Sequence, residues 1–187
     1  MKKLIAIAAL ATAAIATPAL AADTLTGEVR LSDARGGNRA DSTEIKAEYW
    51  TAVRGVALGA EIQAKQADNA GAVDATVSAK AGVSAPEVFG VQTLAFAELG
   101  QTFKAGNSNE FWGAGVKSSR TLYGPVSLKA GYRHREGFTD ATLINEERLH
   151  AGLGLAVTDK TALGATYYRT RGTTDSDAVG LSITRKF

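Results

Sequence analysis

Residues 148–157 read Arg148-Leu149-His150-Ala151-Gly152-Leu153-Gly154-Leu155-Ala156-Val157. Leu149, Ala151, Leu153, Leu155 and Val157 share one parity, and Arg148, His150, Gly152 and Gly154 share the other. Successive side chains of a strand point to opposite faces, so this spacing predicts a strand with one apolar and one polar face. A helix would place apolar residues three and four apart, and that spacing is hard to find anywhere past Asp23.

Working outward, the same rule holds in both directions. Leu25, Gly27, Val29 and Leu31 alternate with Thr26, Glu28, Arg30 and Ser32. Ile45, Ala47 and Tyr49 alternate with Glu44, Lys46 and Glu48, and Leu58, Ala60 and Ile62 with Gly59, Glu61 and Gln63. Comparable runs cover 73–82, 126–133, 163–167 and 179–183. Two further strands, about 88–103 and 110–123, alternate less cleanly: Leu94 and Phe96 share the parity of Gln92 and Glu98. Arg120 falls with Trp112, Ala114 and Val116, which predicts a bulge near Ser118. Ten strands result. Short joins are expected at Arg54-Gly55, Ala85-Pro86-Glu87, Gly124-Pro125 and Thr158-Asp159-Lys160, and longer polar joins at about 33–41, 67–72, 104–109, 136–145 and 172–177. Hairpin linkage throughout then gathers the short turns, and both termini, at one end.

The chain has 187 residues, 45% of them hydrophobic, with no Cys and 20 Gly. Without cysteine there is no disulfide scaffold and no thiolate metal or redox site. The formal net charge of +2 gives no reason to expect a nucleic-acid partner. Met1-Lys2-Lys3, the apolar run Leu4 to Ala16 and the small residues Ala19 and Ala21 predict a secretory signal peptide over 1–21, leaving 22–187 as one exported domain. Both excess positive charges, Lys2 and Lys3, lie in that leader, so the exported chain is neutral.

Alternation is symmetric under exchange of inside and outside. A sandwich or barrel in water buries the apolar parity, whereas a transmembrane barrel turns it to lipid and the polar parity to its interior. A leader without cysteine or an anchoring helix, and turns sorted by length between two ends, favour the membrane. The chain ends Gly180-Leu181-Ser182-Ile183-Thr184-Arg185-Lys186-Phe187. This ending resembles the C-terminal insertion signal of bacterial outer-membrane proteins. The whole pattern resembles a small Gram-negative outer-membrane β-barrel of the porin-like kind. The resemblance implies an all-β fold, a closed up-and-down antiparallel transmembrane barrel of about ten strands, with eight or twelve as alternatives. It further implies an outer-membrane location and Phe187 as insertion signal. The partners it implies are outer-membrane lipids, lipopolysaccharide, and the secretion and barrel-assembly machinery. Phe89, Tyr123 and Phe187 at the short-turn end, and Phe103, Phe111, Trp112, Phe138 and Tyr167 at the other, would form two interfacial girdles.

With the polar parity inside, the early strands supply an acidic wall of Glu28, Glu44, Glu48, Glu61 and Glu98, relieved by Arg30, Lys46 and Lys80. The later strands supply a basic wall of Lys117, Lys129, Arg133, Arg135 and Arg148. Two outcomes follow. In a water-filled pore the opposed walls create a transverse field that sorts solutes by charge; in a closed barrel they pair as a structural network. Ten strands lie near the size that side chains can fill. Trp50, Leu94 and Phe96 narrow the interior, and glycines such as Gly131, Gly152, Gly154 and Gly164 open it.

Chemistry is scarce. Of the two histidines, His134 lies on the lipid-facing parity and His150 points inward beside Glu146 and Arg148. His150 is followed two residues on by Gly152, not by the Ser that deacylase barrels would show, and a wall residue is expected rather than a general base. Asp175-Ser176-Asp177 is expected to be a solvated loop rather than a cation site. No catalytic residue, metal site or cofactor is expected, and the chain carries no oligomer signature. Basic spots at Arg35, Arg39, Arg169 and Arg171 could meet lipopolysaccharide phosphates. The expected function is passive diffusion of small polar solutes or ions. The alternatives are a closed structural or interaction barrel with exposed loops, and a soluble periplasmic barrel that carries a lipophile.

Overall fold

The computed structural model describes residues 24–34, 41–68, 71–104, 107–138, 144–173 and 175–187. The expected leader 1–21 and the basic loop residues Arg35 and Arg39 lie outside the described residues. Ten strands follow in chain order: β1 (Thr24–Ala34), β2 (Ser42–Val53), β3 (Val56–Ala67), β4 (Asp74–Val88) and β5 (Val91–Lys104) come first. They continue as β6 (Asn107–Tyr123), β7 (Val126–Gly137), β8 (Asn145–Ala156), β9 (Thr161–Gly172) and β10 (Ser176–Lys186). Each strand pairs antiparallel with its sequence neighbours, and β1 pairs with β10 from Thr24↔Lys186 to Ala34↔Ser176, which closes the barrel. Closure leaves no free edge, so every strand's ladder groups have partners on both sides.

The two faces are inverted relative to a protein folded in water. Leu31, Val83, Leu99, Leu153 and Leu181 are exposed on the outside, Leu181 by 66%, while Glu28, Glu44, Glu61 and Glu98 are buried within, Glu98 at 2%. Only a surrounding apolar phase makes such an exterior favourable, at roughly 25 cal/mol per Å² of apolar surface kept from water. The soluble, lipophile-carrying arrangement needs the opposite faces and is not the one adopted.

Four local expectations are corrected. The β4–β5 turn falls at Phe89-Gly90, not at Ala85-Pro86-Glu87. Both turn residues have positive φ, 52° and 76°, as a type I′ hairpin turn demands and as proline's ring forbids. Pro86 instead sits in β4, where the register slips between Ala85 and Val88 because a residue without N–H cannot hold the ladder. The β5–β6 join, expected to be long, spans only residues 105–106. The bulge expected near Ser118 lies between Thr121 and Tyr123. Arg120 simply points outward at the strand end, where its side chain reaches the turn region, so no displacement is needed to free it. Finally, Phe111 is not a girdle residue. It lies on the inward parity with Gly113 and Gly115 and is fully buried, opposite Gly100, whose missing side chain makes room for the ring. Phe103, Trp112, Phe138 and Tyr167 do face outward at the long-loop end, and Phe89 and Tyr123 lie exposed at the other.

Candidate functional site

The inward parity converges on the barrel axis, where the two walls read from the sequence meet. Lys117 of β6 reaches Glu48 of β2 at 2.6 Å, and Arg133 of β7 reaches Glu61 of β3 at 3.3 Å. Arg135 grips Glu98 with two hydrogen bonds, Nε to Oε1 at 2.8 Å and Nη2 to Oε2 at 2.9 Å, and also meets Glu61 at 2.8 Å. Arg148 of β8 approaches Glu44 of β2 at 3.7 Å. The fork geometry of guanidinium on carboxylate makes these contacts directional as well as charged.

These contacts close into a ring of alternating charge. Starting at Glu28, the path runs through Arg30 (2.8 Å), Glu44, Arg148, Glu146 (3.2 Å) and Arg133 (3.1 Å). It returns through Glu61, Lys80 (2.7 Å), Glu48 (2.6 Å) and Lys46, which reaches Glu28 at 3.0 Å. Strand register alone would be unfavourable here, since it sets Arg133 directly opposite Arg148. Glu146 lies between the two guanidiniums and relieves that repulsion. The rings of Tyr168 and Phe111 lie beneath cations: the Arg30 guanidinium is 4.1 Å from the Tyr168 centroid, and that of Arg135 is 4.7 Å from Phe111. The Tyr168 hydroxyl donates to Glu28.

Space inside is divided unequally. On the long-loop side of the web a cavity of about 120 Å³ remains, bordered by Phe111, Arg135 and Glu146. On the short-turn side a cavity of about 340 Å³ is lined by Trp50, Phe96, Lys117, Lys129, His150 and Thr166. It adjoins a vestibule of about 610 Å³ with which it shares Thr24, Leu94, Lys117, Lys129 and His150. A third concavity, about 960 Å³, lies on the outer wall over Ala47, Ala60 and Ala79, where small side chains let the apolar surface dip.

The structure thus places Glu28, Glu44, Glu48, Glu61 and Glu98 with Lys117, Arg133, Arg135 and Arg148 in one network. Lys129 stands apart: it is half-buried, and no carboxylate among the described residues lies within ion-pair distance of it. Phe187 is outside the barrel, with the Arg185 guanidinium 5.7 Å above its ring. His150 packs its ring 5.6 Å from Tyr168, and His134 packs against Trp112 on the outer face. Asp177 accepts a hydrogen bond from Tyr167 at 2.6 Å and pairs with Arg169 at 3.6 Å. Sequence reading placed Glu146 inward beside His150 without joining it to the walls, and it missed two members of the site, Tyr168 and Phe111. Parity alone could have found both, since Phe111 shares the inward parity of Gly113 and Gly115, and Tyr168 that of Thr166 and Thr170.

Fold and lumen together give the chain the architecture of outer-membrane β-barrels. The chain is similar to the KdgM porin in complex with disordered oligogalacturonate, with a TM-score of 0.53 at 10% identity, covering 88% of this chain and 99% of that one. It is similar to the β domain of the Bordetella autotransporter BrkA (TM-score 0.52, 12% identity, 90% of this chain and 100% of that one). It is similar also to LpxR from Salmonella typhimurium (TM-score 0.53, 12% identity, 88% and 84%). These likenesses are of fold. No protein-family model matches the sequence, and no curated protein matches it.

Proposed function

We propose that this chain is an integral outer-membrane barrel, closed at rest, that serves as a structural and interaction element of the envelope. The observation that carries the reading is the charged ring: its members come from β1, β2, β3, β4, β7 and β8, so it ties opposite walls together across the axis. A solute crossing the barrel would have to break several desolvated ion pairs at once, each costly to open one-sidedly. The apolar belt supports residence in a bilayer, and the leader and Phe187 fit export and delivery to the barrel-assembly machinery. At the loop end, exposed Arg171 suits contact with lipopolysaccharide phosphates. The reading assigns the chain no catalytic step and no cofactor.

A second reading, passage of small polar solutes or ions as in porins, is favoured by one feature. Cavities lie on both sides of the web, and the closure is made by side chains alone, which can rearrange without unfolding a strand. Membrane fractionation with heat-modifiable gel mobility, followed by planar-bilayer recording on the folded protein, separates these readings. The closed barrel is expected in the outer-membrane fraction and silent under voltage. Steady, reproducible conductance would reject closure and establish the second reading; recovery in the periplasmic extract would reject both.

A further inference from the structure

We infer that the short-turn half of the lumen is a blind cup that binds a small organic anion carrying a flat ring, such as a ring phosphate or carboxylate. The inference rests on the closed-lumen reading, because the web forms the floor of the cup. Charge favours such a ligand. In the web, six carboxylates (Glu28, Glu44, Glu48, Glu61, Glu98 and Glu146) face seven cations (Arg30, Lys46, Lys80, Lys117, Arg133, Arg135 and Arg148). Lys129 adds an eighth cation with no acid beside it among the described residues. The surplus lies where the space is. Lys117 and Lys129 both line the cavity and its vestibule, and the one acid that Lys117 touches, Glu48, is already shared with Lys46 and Lys80. Glu87, the one acid in the vestibule lining among the described residues, is exposed and accepts a hydrogen bond from Gln92. Two ammonium groups with too little counter-charge in a confined space attract an anion more strongly than the same groups on a surface.

The shape and chemistry of the walls favour it as well. On one side stand Trp50 and Phe96, edge to face with centroids 5.7 Å apart, with the Lys117 ammonium 5.0 Å from the Trp50 ring. The Trp50 indole N–H has no hydrogen-bond partner among the described residues. Facing them, β8–β10 contribute Thr166, Ser182 and Thr184, with Gly152, Gly154 and Gly164 near them and His150 and Tyr168 beside them, so that wall offers hydroxyls with open space between its bulkier side chains. An aromatic shelf, a hydroxyl wall and paired cations in about 340 Å³ match the size and mixed lining of small-molecule sites, which run from about 300 to 1,000 Å³. The cup opens at the end that carries the short turns and both termini, so its ligand enters from the periplasmic side.

The test uses the full folded barrel in a neutral detergent with Trp112→Phe, which leaves Trp50 as the only fluorophore of its kind and lies outside the cup. Phenyl phosphate is expected to give a saturable change in Trp50 emission. Benzyl alcohol and inorganic phosphate, each carrying half of the proposed chemistry, are expected to bind at least about ten-fold more weakly, which corresponds to losing about 1.4 kcal/mol. Lys129→Gln is expected to weaken phenyl phosphate about ten-fold while heat-modifiable mobility stays normal, because Lys129 holds no ion pair of the web. Equal response to benzyl alcohol, or unchanged affinity in Lys129→Gln, overturns the cup. Bilayer recording of the same preparation separates the two proposals: silence without saturable binding rejects the cup and keeps the closed lumen, whereas conductance with binding intact rejects closure and keeps the anion site.

Discussion

The two halves of the lumen are built from the same strands and differ in what those strands point inward. In the long-loop half, Phe111, Arg135, Glu98 and Glu146 fill the section until only about 120 Å³ is left. In the short-turn half, β7, β8 and β9 point Gly131, Gly152, Gly154 and Gly164 inward and leave about 340 Å³. Strand number sets the circumference, but side-chain length decides at each level whether a barrel of this size is a plug or a vessel. Charge follows the same division: the plug is nearly matched acid for base, and the vessel holds the surplus lysines.

The largest effect that would break this comparison is removal of the plug's central cation. Arg135→Met takes a double hydrogen bond from Glu98 and one contact from Glu61, leaving a buried carboxylate short of partners. The expected loss is about 3–5 kcal/mol, seen as a lower urea midpoint for the folded barrel in detergent. Adding Glu98→Leu should recover most of it, since the penalty is an unpaired charge rather than a missing bond. In the open half the equivalent change is nearly free: Lys129→Gln should shift stability by no more than about 0.5 kcal/mol. Equal losses in the two halves would mean that the web does not hold the plug.

A smaller effect sharpens the contrast through packing. A Cβ built on Gly113 lies 2.7 Å from the His134 carbonyl oxygen and 2.8 Å from the Glu98 carboxylate, both fixed by the ladder or the web. A Cβ on Gly154 lies 2.6 Å from the Ser127 hydroxyl, held only by a 3.5 Å hydrogen bond to the Gly154 carbonyl, and 3.2 Å from the Lys129 Cε, and both side-chain ends can swing away. Gly113→Ala should therefore cost about 1–3 kcal/mol as overpacking, and Gly154→Ala less than about 1 kcal/mol. The midpoint of urea unfolding checks both, and similar costs would show that the short-turn half is as tightly packed as the plug.

Much of this was legible in the alternation, because a closed sheet has only two faces and a single parity decides both. Ten strands, neighbour pairing, the inward glutamates and the basic wall all follow from period 2. What parity does not carry is distance across the barrel. Whether Arg135 floats in water or clasps Glu98 depends on lumen width and on the length of every other inward side chain. Turn positions were misread for a related reason. Ala85-Pro86-Glu87 is a good turn by composition, but the turn formed has two positive φ values, as in type I′, and Gly90 supplies one of them farther along the chain. The long join expected at 104–109 failed because Asn107, Ser108 and Asn109 are polar residues that nonetheless extend a strand past the apolar belt, where polar side chains on the outer face cost nothing.

The smallest expected effect lies at the rim of the open half and separates backbone strain from membrane anchoring. Phe89 holds φ at 52°, a conformation that costs an L-residue roughly 1–2 kcal/mol and that asparagine or glycine tolerates. Arg54 adopts the same conformation in the β2–β3 turn, with φ at 50°. The two differ in side chain: the Phe89 ring is 89% exposed, so nothing in the protein compensates for its strain. In a neutral detergent, Phe89→Asn should raise stability by about 1 kcal/mol, as should Arg54→Asn. In lipid vesicles the two should part. An aromatic ring at the turn end can lie in the headgroup region, and its loss offsets the relieved strain, so Phe89→Asn should gain little or become destabilising there while Arg54→Asn keeps its gain. Urea midpoints measured in both media decide the matter. Equal gains for the two variants in vesicles would show that Phe89 is merely strained, and that the rim of the open half takes no hold on the membrane through this ring.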